Sequence, residues 1–215
     1  ASNTYTTSAL ANGNVVDVIV TTAAGCVDAS TGITMTVNPA IVATLSSSDA
    51  DNTICAGASV TFTAAPAGAA TYDFRVNGVS VVSSASNIYT TSTLTTGSVV
   101  DVVVTTAAGC VSTSTGITTT VNPLPIATIV SNDADNTICA GSSVTFTAAP
   151  SGAANYNFRV DGVSVLNSAS NTYTTSALAN GNVVDVIVTT AAGCTDASTG
   201  ITMTVNPAIV ATLSS

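Results

Sequence analysis

The chain repeats itself: Ala1-Ser2-Asn3 returns at Ala85-Ser86-Asn87 and at Ala169-Ser170-Asn171, a step of 84 residues each time. The same step carries Cys26 to Cys110 to Cys194, and Cys55 to Cys139. Missing such a period mis-assigns the whole fold, so it governs every local reading. The 215 residues hold two periods plus 47 residues. Residues 1–47 differ from 169–215 at one position, Val27 against Thr195, and from 85–131 at 14. The larger unit is therefore a pair of modules, with two slightly different types alternating.

Within one period, short runs of Val, Ile and Thr recur at intervals of roughly ten residues, punctuated by Gly, Asn, Pro and Ser. Over 43–126 the expected strands are Ala43–Ser47, Ser59–Ala64, Tyr72–Val76, Val79–Val82, Asn87–Leu94, Val99–Thr106 and Gly116–Val121. Val60, Phe62 and Ala64 share one face of their run, and Tyr72, Phe74 and Val76 share one face of theirs. Asn77-Gly78 between two such runs is a two-residue hairpin signal, and the next module writes Asp161-Gly162 there. Strands of this number and length match an immunoglobulin-like sandwich. A β-solenoid is the rival, but its coils run about 20–45 residues, and no shorter period occurs inside the 84.

The expected organisation is all-β: tandem immunoglobulin-like β-sandwich modules arranged as a rod. Residues 1–42 supply the C-terminal half of a module (strands E, F and G). Residues 43–126 and 127–210 are complete modules, and 211–215 begin a further one. Three strands cannot close a sandwich core, so 1–42 needs strands from upstream chain or from another copy. Only Asn122-Pro123-Leu124-Pro125-Ile126 separates Val121 from Ala127, and proline restricts the backbone there.

Composition removes most chemistry. The sequence has no Lys, His, Trp or Glu, and its only cations are Arg75 and Arg159. General acid–base catalysis near neutrality leans on His, Glu or Lys tuned by burial, so an enzyme is not expected. A net charge of -9 argues against nucleic acid, whose phosphates are bound by Lys and Arg, and against anionic membrane surfaces. No run approaches the ~18 apolar residues of a membrane span.

The string Asp49-Ala50-Asp51-Asn52-Thr53-Ile54-Cys55-Ala56-Gly57, followed by Val60-Thr61-Phe62-Thr63-Ala64, resembles the opening of Ig-like/PKD-like repeats of large secreted surface proteins of Bacteroidota. Val99-Val100-Asp101-Val102-Val103-Val104, Gly109-Cys110 and Thr120-Val121-Asn122-Pro123 resemble their closing half. The resemblance covers essentially the whole chain. It implies export and a cell-surface or filamentous role, with adhesion or gliding in some relatives. The chain departs from antibody domains: no Trp packs the core, and the cysteines sit at strand ends.

Three sets of side chains stand out. Asp49, Asp51 and Asn52, with Asp133, Asp135 and Asn136 one module on, place oxygen ligands on a loop. Calcium takes six to eight such oxygens, although the spacing is not that of an EF-hand and an Asx-rich turn explains it equally. No cofactor is required otherwise. Arg75 and Asp101 both point outward from neighbouring strands and should form a structural ion pair, repeated by Arg159 and Asp185. Outward Ser and Thr are compatible with O-linked sugars, whereas no Asn-x-Ser/Thr acceptor occurs.

The third set is the cysteines, for which an exported protein favours disulfides. Pairing within a module, Cys55 with Cys110, conflicts with topology. Cys55 precedes the second strand and Cys110 follows the sixth, and these run in the same direction. About eight residues at roughly 3.3 Å each then separate them, against a limit of about 7 Å between Cα atoms of a disulfide. Cys55 is instead expected to bond Cys194 of the following module, which would also bring Asp196 near Asp49 and Asp51. Cys26 and Cys110 would then pair upstream and Cys139 downstream. The expected function is a structural extracellular filament or stalk whose partners are neighbouring modules or other copies. The alternative is the extender of a surface adhesin whose binding domain lies elsewhere.

Overall fold

The structure, a computed structural model, describes residues 2–209 and 211. It is all-β, with 24 strands and no helix among the described residues. The chain falls into two compact units. The first comprises Ala1–Ser48, Thr61–Thr90 and Val99–Ile117, and the second Asp49–Val60, Thr91–Ser98 and Thr118–Ser215. The short strand before the second sheet strand and the final strand of module 43–126 thus belong with the unit that holds module 127–210.

Strands β1 (Val15–Val16), β2 (Ile19–Thr21), β3 (Val27–Ala29) and β4 (Ile33–Thr34) lie in the first 42 residues. The next module carries β5 (Thr44–Ser47), β6 (Thr53–Cys55), β7 (Val60–Ala65), β8 (Thr71–Val76), β9 (Val79–Ser84), β10 (Ile88–Thr91) and β11 (Val99–Thr105). It ends with β12 (Val111–Thr113), β13 (Ile117–Thr118) and β14 (Thr120–Asn122). The series repeats as β15 (Thr128–Ser131), β16 (Thr137–Cys139), β17 (Val144–Ala149), β18 (Asn155–Val160) and β19 (Val163–Ser168). β20 (Thr172–Thr175), β21 (Val183–Thr189), β22 (Thr195–Ala197), β23 (Ile201–Thr202) and β24 (Thr204–Asn206) complete it.

In the first unit, one sheet has the order β10-β7-β5 and the other β12-β11-β8-β9, with β13 also on β11. Period-two alternation decides what each strand buries. Val100, Val102 and Val104 of β11 are fully buried, as are Phe62 and Ala64 of β7 and Tyr72 and Phe74 of β8. Tyr89 of β10 stacks on Phe62 of its own sheet, with ring centroids 6.3 Å apart, and meets Phe74 of the opposite sheet at 5.6 Å. That tyrosine ties the layers together. Asn77 and Gly78 both have positive φ (53° and 78°), as a type I′ hairpin requires, which is why the turn between β8 and β9 is written with Asn and Gly.

The second unit holds the same sandwich built from 127–210: sheets β15-β17-β20 and β19-β18-β21-β22, with β23 on β21. Its core joins Val144, Phe146, Tyr156, Phe158, Val184, Val186, Val188 and Met203 in one buried cluster. Truncating a buried Phe of this kind costs about 3–5 kcal/mol. The unit also contains β6 and β14 of the preceding module, paired in parallel with Val121 opposite Ile54.

Strand positions differ from the sequence reading in four places. β6 and β12, with β16 and β22 one module on, are strands of three residues that periodicity did not single out. The run read as Gly116–Val121 divides into β13 and β14. At the break, buried Thr119 donates its N–H to Ser98 O at 2.9 Å, and the chain then leaves β11 to pair with β6. The run read as Asn87–Leu94 is a strand only over Ile88–Thr91.

Residues 1–42 hold strands F and G as the broken pairs β1 with β4 and β2 with β3, and the described part of the expected strand E forms no strand. In the complete modules strand E pairs with β7 or β17, and strand F is held by β8 or β18. Segments without those partners have no ladder to join. Of 211–215, expected to begin a further module, 212–215 lie outside the described residues.

Candidate functional site: the stapled joint between modules

The second unit contains the junction between modules 43–126 and 127–210, and the chain's only disulfide among the described residues lies there. Cys55 is bonded to Cys194, with the Cα atoms 5.6 Å apart and 139 residues of sequence between them. Each half of the bond is held by its own local device. Cys55 ends β6 opposite Asn122 of β14, and Ala56 donates its N–H to Asn122 O at 2.8 Å. Gly57, at φ 78°, lets the chain turn at once, and Ala58 N–H returns to Cys55 O at 2.9 Å.

Cys194 closes the turn Thr190-Ala191-Ala192-Gly193-Cys194. Thr190 N–H donates to Cys194 O at 2.9 Å and Gly193 N–H to Thr190 O at 3.0 Å. The Thr190 hydroxyl accepts from Cys194 N–H at 3.1 Å. The Cys194 sulfur lies 4.0 Å from Asn122 O, a packing contact, since a disulfide sulfur has no hydrogen to donate. Cys194 is 1% exposed, whereas its counterpart Cys26 is exposed and Cys110 half-buried.

The linker between the two modules is short and anchored. Pro125 and Ala127 are buried, and Ala127 donates its N–H to Asp196 Oδ2 at 2.8 Å. Ser112 Oγ receives Ala43 N–H at 3.1 Å in the first unit, the same bond made by the other residue type. Sequence reasoning missed this contact, because nothing in the chain marks a strand residue as the partner of a linker amide 69 positions away.

Asp196, expected near Asp49 and Asp51, accepts the linker amide of Ala127. Asp49 and Asp51 each point one carboxylate oxygen at Thr53 N–H, at 2.9 and 3.0 Å, and Asp133 and Asp135 do the same to Thr137 at 2.8 and 3.1 Å. Asn52 and Asn136 hold positive φ (57° and 56°) in these turns. Among the described residues no three acidic, thiol or imidazole groups converge to hold a metal. Asn52 Oδ1 is buried without a hydrogen-bond partner. The bonds to Thr53 and Thr137 are those of Asx-rich turns.

The outward Arg–Asp pairs sit directly across strands, Arg75 opposite Asp101 and Arg159 opposite Asp185. Both are bidentate. Arg75 Nε and Nη2 lie 2.7 and 2.9 Å from Asp101 Oδ1 and Oδ2, and both Arg159 distances are 2.7 Å. The hydrogen bond that each guanidinium donates to its carboxylate raises its pKa, against a smaller desolvation that lowers it. Both pairs brace the sheet by joining neighbouring strands. A further brace is the fully buried Tyr156, whose hydroxyl accepts from Ala153 N–H at 3.0 Å and donates to Pro150 O at 2.7 Å. Tyr72 repeats it with Ala69 and Pro66.

One open hollow of about 730 Å³ lies in the first unit, lined by Tyr5, Leu10, Val16 and Ile33 among others. Their counterparts Tyr173, Leu178, Val184 and Ile201 belong to or pack against the core of the second unit. Val18 is 56% exposed and its counterpart Val186 is 0% exposed. The hollow is an uncovered sandwich face and not a pocket shaped for a small molecule.

No family model and no curated protein sequence matches the chain. Similar solved structures include the fibronectin(III)-like modules of Clostridium thermocellum CbhA, at 18% identity and TM-score 0.46, covering 76% of this chain and 92% of that one. Murine CEACAM1b is similar at 9% identity and TM-score 0.39, covering 76% of this chain and 100% of that one. On its own sheet order and core, the chain is an all-β protein of tandem immunoglobulin-like modules.

Proposed function

We propose that this chain is a stretch of an extracellular structural filament or stalk in which tandem modules supply length and stiffness, and that it is not an enzyme. The observation that carries the reading is the Cys55–Cys194 bond, which ties one module to the next and not a module to itself. A single covalent chain already holds successive modules together, and a second covalent link adds resistance to bending and to pulling apart. A linker with a buried proline and an amide bonded to Asp196 acts in the same sense.

Compartment follows from the same bond. A disulfide of this kind persists in oxidising surroundings, as at a cell surface or in secreted material, and is rare where thiol reductants prevail. The composition supports the exclusions: with no Lys, His or Glu and a net charge of -9, neither nucleic acid nor acid–base catalysis has residues to work with. No helix among the described residues is long and apolar enough to cross a membrane. The experiment is immunogold electron microscopy of native surface material with antibody raised against module 127–210. Label repeating along uniform filaments is expected. Label confined to the base of projections that end in a different domain would assign the adhesin-extender role instead.

A further inference from the structure

The joint that holds Cys55 to Cys194 is made of two parts, and the chain carries one further copy of the receiving part, at Cys139, and two of the entering part, at Cys26 and Cys110. The receiving part is a three-residue strand ending in cysteine, paired in parallel with the last strand of its module. Around Cys139 it is reproduced bond for bond: Cys139 of β16 lies opposite Asn206 of β24, and Ala140 N–H donates to Asn206 O at 2.8 Å. Ser142 N–H returns to Cys139 O at 2.9 Å, and Gly141 turns the chain at φ 82°. The entering part is the Thr-Ala-Ala-Gly-Cys turn. At Thr22–Cys26 it has the same bonds as at Thr190–Cys194: Thr22 N–H to Cys26 O at 2.9 Å, Gly25 N–H to Thr22 O at 2.9 Å, and Cys26 N–H to the Thr22 hydroxyl at 3.1 Å. Residues 1–47 differ from 169–215 at one position, so the entering surface is chemically the one already seen docked. Cys26 and Cys139 are both exposed free thiols, whereas Cys110, on the third copy of the turn, is half-buried.

We propose that separate copies of this chain join head to tail through a disulfide between Cys139 of one copy and Cys26 of the next. The inference rests on the filament reading and names the contact that would extend it between chains. The second, independent observation behind it is that the same two residue positions, Cys55 and Cys194, are bonded within the chain. Because the two parts are different surfaces, the contact is heterologous. Each added copy presents a fresh Cys139, so assembly proceeds as an open series unless the rotation happens to close a ring.

The chemistry needs an oxidant, a small-molecule disulfide such as oxidised glutathione. The Cys139 thiolate attacks one of its sulfurs and releases one glutathione thiol, leaving a mixed disulfide. The Cys26 thiolate then attacks the protein-bound sulfur and releases the second glutathione thiol. Two protein thiols are oxidised, one disulfide is reduced to two thiols, and the protons go with them.

The test uses the full chain with Cys110→Ser, which removes the third thiol, incubated at micromolar concentration in a glutathione redox buffer and resolved without reductant. A ladder of multimers is expected. It should collapse on adding dithiothreitol, be absent when the incubation is run in strong guanidinium, and yield a tryptic or chymotryptic peptide pair joining Cys26 to Cys139. Adding Cys26→Ser or Cys139→Ser should abolish the ladder, and mixing those two variants should restore a dimer and nothing longer. The proposal is overturned by a chain that stays monomeric with both thiols titratable. Symmetric Cys26–Cys26 or Cys139–Cys139 dimers, or a ladder that forms equally in guanidinium, overturn it too. Those results would leave the filament reading standing, because labelling of native material does not depend on joints between chains.

Discussion

Removing the Cys55–Cys194 staple should weaken this chain in a calculable way. The bond closes a loop spanning 139 residues of sequence. In the chain-entropy account a 100-residue loop is worth about 4.7 kcal/mol and each doubling adds about 0.6, so this loop is worth about 5 kcal/mol. That full constraint is felt only when every strand between the cysteines, β7 through β21, is unfolded in the reference state. Measured disulfides more often return about 2–4 kcal/mol. For a cooperative unit of this size each kcal/mol moves the midpoint by roughly 2–4 °C, so Cys55→Ser with Cys194→Ala should melt about 10 °C below wild type. The assay is circular dichroism in the strand region during a thermal ramp, run on wild type and variant with and without reductant. Reductant should bring wild type down to the variant and leave the variant unmoved. Because Cys194 is 1% exposed, that change should lag behind mixing and follow the opening of the joint. A variant that melts with wild type would refute the reasoning, since the bond would then constrain nothing that unfolding releases.

Other perturbations have equally definite expectations. Tyr156→Phe removes the hydroxyl shared by Ala153 N–H and Pro150 O, and should cost about 1–2 kcal/mol in urea unfolding with the m-value unchanged. Asp185→Asn should cost about 0.5–1 kcal/mol, with a double-mutant cycle against Arg159→Ala giving a coupling that shrinks in high salt. Since the Arg159 pKa is raised in the folded state, its contribution is complete below the unfolded value and is lost only as pH rises above it. The coupling should therefore show no loss of arginine charge between pH 6 and pH 10 on the basis of that shift. Asp133→Ala removes one of the two carboxylates on Thr137 N–H and should cost about 1 kcal/mol equally in calcium and in chelator; a loss seen only in calcium would make the turn a cation site.

Sequence alone determined the repeat, the alternation of two module types, the facing of each long strand and the hairpin turn at Asn77-Gly78. All of these are written locally: period-two burial in β7, β8 and β11 needs only neighbours along the chain, and positive φ at two successive residues needs only Asn or Asp before Gly. Alternation also placed Arg75 and Asp101 on outward faces, and strand direction already separated Cys55 from Cys110. What only the tertiary structure decided depends on partners far away in sequence. β6 is three residues long and exists because β14, some 67 positions on, offers it a parallel ladder. The bond from the Ala127 amide to Asp196, 69 positions on, was likewise decided by the fold, because it joins a linker and a strand that are distant in sequence. Strand E of residues 1–42 has every residue type of Thr172–Thr175 except the ladder opposite, and without β17 in front of it the same sequence stays irregular. A strand's propensity is a property of its residues, whereas its hydrogen bonds belong to two segments at once, and only the fold says which second segment is present.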